Sequence, residues 1–232
     1  MSQYLLKGEL MKRFLSLTLL VVCALTVRAN ELNLKPHEQW WEKNVDAQLG
    51  TFAQWLGDIN ADSRVKMRKY ISSKGYKSIL DIPCGLCTEF YGYERDGIAI
   101  DYYGVDITPK LVSRAKSLGL NVIRGSIEEI PFEDSSIDVC YARHILEHLD
   151  YYEKAVNDLI RVASKEVIVI FFIKPPIDKF DDIRPGMIDG ALLYHNVYNR
   201  SKIEQFLNSN IKVIRTEWQD LNPNEVALHI YV

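Results

Sequence analysis

SILDIPCGLCTEF, Ser78 to Phe90, carries a short apolar run into an acid, a proline, a glycine and two cysteines. Ile79, Leu80 and Ile82 suit a buried strand, and Gly85 opens a loop where backbone can come close to a ligand. Cys84-Gly85-Leu86-Cys87 is also a C-x-x-C. Three readings therefore compete: a redox pair, half a metal site, or a ligand-binding turn with a cysteine where a second glycine would stand.

The chain downstream alternates strand and helix patterns. YYGVDI (102–107) is a second apolar run, and PKLVSRAKSLG (109–119) reads as a helix closing at Gly119. NVIRG (121–125) and IDVCYA (137–142) read as strands. In YYEKAVNDLIRV (151–162), Tyr152, Ala155, Val156, Leu159 and Ile160 recur at helical spacing and form one face. VIVIFFI (167–173) is unbroken apolar sequence, the pattern of a strand buried on both faces in a parallel sheet. A Pro- and Asp-rich polar segment (174–190) follows, then a short helix, SKIEQFLNS (201–209). IKVIRTEW (211–218) and EVALHIYV (225–232) close the chain as strands. Their connection is too short for a crossover helix, so that pair is expected to be antiparallel. The whole predicts a Rossmann-like, doubly wound α/β fold: a mostly parallel seven-stranded sheet with an antiparallel last strand.

In such a sheet ligands bind at the carboxyl ends of the strands, near the switch point beside the first strand. Asp81 and Gly85 lie at that end of the first strand. Asp106 ends the second, 25 residues beyond Asp81. An acid at this spacing suits the vicinal hydroxyls of a ribose, because one carboxylate accepts two O–H bonds. The competing role for either acid is to cap the next helix.

Upstream, residues 31–75 read as a helical lead-in rich in Trp40, Trp41, Phe52 and Trp55, a packing layer or a lid over the cleft. Asp62 or Ser63 is the expected cap of a helix that Gly75 ends. Residues 1–30 form a hydrophobic, signal- or anchor-like segment. Met11-Lys12-Arg13, an alternative start, precedes 14 uncharged residues, Phe14 to Val27, and then Arg28-Ala29. That pattern suits a signal peptide, and the run is shorter than the ~20 residues of an ordinary spanning helix. Residues 11–29 would attach a cytosol-facing protein to a membrane, direct export with cleavage near Ala29, or pack as a helix of a cytosolic protein. The domains expected are thus 1–30, 31–75 and 76–232.

The chain holds 28 basic and 31 acidic residues, net −3. Without residues 1–30 the balance is 24 to 30. Such a body has no global attraction to a phosphate backbone, so nucleic acid is not an expected partner. Cys23, Cys84, Cys87 and Cys140 do not make the framework of a small disulfide-rich domain.

ILDIPCG, then YGVD, then VIRGSIEEIPFEDSSIDVCYARHILEHL (122–149) resembles the class I S-adenosylmethionine-dependent methyltransferases. The likeness is to the small-molecule, type 11-like group whose middle reads G-D-A-E-x-L-P-F-x-D-x-S-F-D. It runs from about Tyr76 to the end. It implies that Asp81, Pro83, Cys84 and Gly85 hold the methionine part of S-adenosylmethionine. It also implies that Asp106 binds the ribose and Ile107 flanks the adenine. Ser126 and Ile127 match the positions that read the adenine edge; Ala142 and Arg143 match backbone neighbours of the sulfonium. Two positions depart from the family. Cys87 stands for the second glycine of G-x-G, where a side chain disfavours positive φ, and Ser126 stands for the usual Asp.

The implied reaction is methyl transfer to a small molecule, a sugar or a lipid-linked acceptor, with His144, Tyr194 and His195 as candidate bases and no metal. A protein that keeps the pocket without turnover is the alternative. Lower still stand a secreted C-x-x-C redox protein and a zinc protein using His144-Ile145-Leu146-Glu147-His148, an H-x-x-E-H whose histidines would share a helix face.

Overall fold

The computed structural model describes residues 34–232. The segment 1–30, with Cys23 and Ala29, lies outside the described residues. Alternation of side chains across a strand builds the core: along Val167 to Phe171, Val167, Val169 and Phe171 join one apolar cluster, and Ile168 and Ile170 join the other. Both faces are therefore covered by helices, as parallel strands require.

The strands are β1 Ser78–Asp81, β2 Asp101–Asp106, β3 Val122–Arg124, β4 Ile137–Arg143, β5 Ala163–Phe171, β6 Pro185–Ile188, β7 Ala191–Tyr194, β8 Arg215–Asp220 and β9 Val226–Tyr231. The main sheet has seven strands in the order β3-β2-β1-β4-β5-β9-β8. β1 pairs in parallel with both β2 and β4, which puts the switch point beside it. β9 runs antiparallel to both its neighbours, β5 and β8. The expected seven-stranded sheet with its antiparallel last strand is thus observed.

The helices are α1 Glu38–Lys43, α2 Val45–Leu49, α3 Ala53–Leu56, α4 Asp62–Ser73, α5 Thr88–Asp96, α6 Pro109–Ser117, α7 Glu153–Val162 and α8 Arg200–Asn208. Ala155, Val156, Leu159 and Ile160 of α7 and Ile203 and Leu207 of α8 pack on one face of the sheet. Met67 and Ile71 of α4, Tyr93 of α5 and Val112 and Ala115 of α6 pack on the other. Among the described residues no helix is long and apolar enough to cross a membrane.

Four local expectations change. The loop at Gly85 is expected to lead toward a helix or turn without bounds, because TEFYGYERD mixes charges among its apolar residues; it leads into α5. The N-cap of α4 is Ala61, without a side-chain bond; Ser63 instead donates to Glu225 Oε1 at 3.1 Å. The polar connection after β5 holds the β6–β7 hairpin, which meets the lead-in through Trp40, Ala191 and Leu193. Residues 211–214 precede β8 instead of forming it, and Ile211 and Ile214 are exposed.

Candidate functional site

The carboxyl end of β1 delivers Asp81, 4% exposed, to the floor of a cleft. Tyr102 Oη donates to Asp81 Oδ2 at 2.7 Å. Burial, reinforced by the nearby Glu89 carboxylate, pushes the Asp81 carboxyl well above its usual range. Beyond it the chain turns through Pro83 to Cys87. The Cys84 N–H donates to the Val105 carbonyl at 2.9 Å, tying the loop to β2. Gly85 has φ 50°, and a side chain there would meet open space. Positive φ thus selects glycine at this position, and the bare backbone faces the cleft.

Asp106, also 4% exposed, ends β2 and grips that loop. Its Oδ2 accepts the Gly85 N–H at 2.8 Å, and its Oδ1 accepts the Thr108 N–H at 2.9 Å. Burial pushes its carboxyl up while these N–H donors oppose the shift. The two acids are thus held at adjacent strand ends, where β1 and β2 pair in register.

Cys87 adopts the left-handed conformation, φ 57° and ψ 37°, at the N-cap of α5. The backbone a glycine would take easily is therefore retained with a cysteine in its place. Cys84 and Cys87 are both buried and free. The proximity of the two thiols raises that of Cys84 and lowers that of Cys87.

The cleft encloses about 130 Å³. It brings together Asp81, Pro83, Cys84, Gly85, Asp106, Ile107, Arg143 and His144 from the sequence reading. It does not include Ser126, Ile127 or Ala142. Ser126 Oγ donates to Glu38 Oε1 of α1 at 2.8 Å, and Ile127 and Ala142 pack in the core. Tyr194 and His195 also lie off the cleft. The Tyr194 carbonyl receives a bond from His148 Nδ1 at 2.8 Å, and the His195 ring lies 5.1 Å from that of His148.

The lead-in contributes lining that no motif announced: Trp41, Gln48, Leu56 and Arg64. Arg64 ion-pairs with Glu89 of α5 and donates to the Leu56 carbonyl at 3.2 Å. Thr88 and Thr108, each just after a loop already singled out, line the cleft as well.

The H-x-x-E-H segment does not form one helical face. His144 has φ 55°, and only Leu146–His148 is helical, as a single 3₁₀ turn. His144 and His148 consequently face different partners, Glu225 and the Tyr194 carbonyl. Burial lowers both imidazoles to about 4. Among the described residues no group of three or more His, Cys, Asp or Glu side chains is arranged to hold a metal ion. Asn199, in the sequon Asn199-Arg200-Ser201, caps α8 by accepting the Lys202 N–H at 3.0 Å.

Residues 80–171 match a family model described as a methyltransferase domain. An uncharacterized methyltransferase of Mycobacterium sp. (strain KMS) is 28% identical over 94 residues, 40% of this chain. That match spans 36% of the relative, so the chain covers about a third of the curated relatives' length. The fold is similar to the 1,6-didemethyltoxoflavin N1-methyltransferase of Burkholderia thailandensis, solved with 1,6-didemethyltoxoflavin and S-adenosylhomocysteine. There the TM-score is 0.59 and the identity 13%, over 88% of this chain and 92% of the other. It is also similar to the magnesium protoporphyrin IX methyltransferase of Synechocystis PCC 6803, solved with S-adenosylhomocysteine. There the TM-score is 0.56 and the identity 14%, over 84% of this chain and 97% of the other. Residues 80–171 thus match a methyltransferase domain, and the strand order of the sheet places the chain in the fold that the solved methyltransferases share.

Proposed function

We propose that the protein transfers a methyl group from S-adenosylmethionine to a small-molecule acceptor, with a sugar or a lipid-linked acceptor as the finer options. The observation that carries this reading is Asp106. It sits at the end of β2 and is bonded to the Gly85 N–H of the loop after β1. The cofactor, when bound, supplies a methyl group already activated by a sulfonium leaving group, so the protein's work is mainly positioning.

The residues present suit that cofactor in kind. Asp106 accepts two ribose hydroxyls, and Ile107 offers an apolar side to the adenine. Asp81 is a buried carboxylate matched to an α-ammonium group, whose charge would reverse the upward shift that burial imposes. Open space over Gly85 lets backbone meet the ligand. The size is a separate matter. Ligand clefts usually enclose roughly 300–1,000 Å³, well above the 130 Å³ here. Trp41, Gln48 and Leu56 of the lead-in line the cleft, and a shift of these side chains would enlarge it for the cofactor. The small volume favours the second reading, a protein that keeps the pocket without turnover.

Calorimetry of the full chain with S-adenosylmethionine and S-adenosylhomocysteine tests the proposal. Binding of both, lost in Asp106→Ala, is the expected result. No heat at millimolar ligand, or affinity unchanged in Asp106→Ala, refutes it.

A further inference from the structure

The turn between β8 and β9 reaches back to the carboxyl end of β4. Glu225 Oε1 accepts from His144 Nε2 at 2.6 Å, Arg143 Nη2 at 2.7 Å and Ser63 Oγ at 3.1 Å. Asn222 Nδ2 donates to its other oxygen. Burial alone would raise this carboxyl, but the His144 bond and the Arg143 charge lower it to about 2. Glu225 is thus an ionised, acceptor-only group at neutral pH.

An acceptor-only partner dictates the tautomer of His144. Nε2 must carry the hydrogen that Glu225 receives, which leaves Nδ1 with the lone pair. Among the described residues Nδ1 makes no hydrogen bond, yet it is not one of the buried polar atoms lacking a partner. The His144 side chain is 27% exposed and lines the cleft beside Gly85 and Asp106. The residue holds φ 55°, with its N–H bonded to the Ile170 carbonyl at 2.9 Å. A left-handed histidine costs conformational energy, and such strain collects at functional positions.

We propose that His144 is the general base of methyl transfer and that Glu225 is its positioning residue, fixing the Nε2–H tautomer so that Nδ1 takes the acceptor's proton. This rests on the methyl-transfer reading above. It narrows the acceptor to an O–H or N–H compound. The X–H bond breaks and its proton goes to Nδ1. The X–C bond forms with the electrophilic methyl, and the pair of the broken S–C bond stays on sulfur. The imidazolium that results is held against the Glu225 carboxylate. A weakly basic imidazole suffices, because the X–H proton becomes strongly acidic as the X–C bond forms.

A purely structural Glu225 would only tie the β8–β9 turn to Arg143. Nitrogen-15 NMR of histidine-labelled full chain separates the two roles without needing the acceptor. The wild type is expected as the Nε2–H tautomer, with the His144 Nδ1 resonance shifting on saturation with S-adenosylhomocysteine. Glu225→Gln is expected to move the tautomer ratio toward Nδ1–H by roughly tenfold, as a charge-assisted bond becomes a neutral one. An Nδ1–H tautomer in the wild type overturns the proposal, whether or not the variant folds. So does an Nδ1 signal unmoved by S-adenosylhomocysteine that calorimetry shows to be bound; that result leaves the cofactor reading intact. Absence of binding heat overturns the methyl-transfer reading itself.

Discussion

Glu147 gives a stability prediction that can be isolated from every other residue. It is 1% exposed. Its Oε1 accepts the Phe172 N–H at 2.8 Å and the Ile173 N–H at 3.4 Å, while Oε2 has no partner. Burial pushes the carboxyl from its ordinary 4.5 to about 7, against the pull of those N–H donors. Between these values the native state keeps a proton that the unfolded chain releases. The carboxyl's contribution to stability is therefore full below pH 4.5 and falls as pH rises toward about 7. At ~1.4 kcal/mol per unit, going from about pH 5 to about pH 8 costs the native state about 2–3 kcal/mol through this group. Glu147→Gln keeps the shape and removes the ionisation. Whatever the amide itself costs is the same at both pH values and cancels in the difference. Guanidinium unfolding of both proteins at the two pH values should show the variant gaining about 2–3 kcal/mol on the wild type at the higher one. A gain under about 1 kcal/mol would refute the assignment of a buried, proton-holding carboxyl at Glu147.

Three further outcomes follow from the loop and the lead-in that lines the cleft. Gly104→Ala puts a Cβ 2.9 Å from Val122 Cγ2 and 3.0 Å from Cys84 Sγ; overpacking of this kind costs about 1–3 kcal/mol, so thermal melting should drop by several degrees and S-adenosylhomocysteine binding should weaken as the loop shifts. Cys87→Gly relieves a left-handed residue worth ~1–2 kcal/mol but adds chain entropy of ~0.5–1 kcal/mol and removes buried apolar surface. Stability should stay within about 1 kcal/mol and ligand affinity should hold or improve; loss of binding in both Cys87→Gly and Cys87→Ser would mean that the thiol itself is used. Trp41→Ala should speed association of S-adenosylhomocysteine in stopped-flow fluorescence, and an unchanged rate would mean that Trp41 does not gate entry.

Much of this protein was readable from local pattern. The buried strand at 167–171, the amphipathic helix at 153–162 and the short connection before the last strand each report a backbone state that a few neighbouring residues impose. Asp81, Gly85 and Asp106 were legible for the same reason, since a doubly wound sheet presents its strand ends at one edge. What the sequence could not disclose depends on chain segments far apart. Arg64 and Trp41 reach the cleft from the lead-in, and Glu225 lies 81 residues from His144. H-x-x-E-H looked like one helical face until the backbone at His144 took a positive φ and sent the two histidines to separate partners. Cys84 and Cys87 became part of a buried turn only once β2 packed beside them. Residue spacing determines secondary structure through local sterics and periodic burial, whereas a hydrogen bond between distant side chains exists only after the core has brought their elements together.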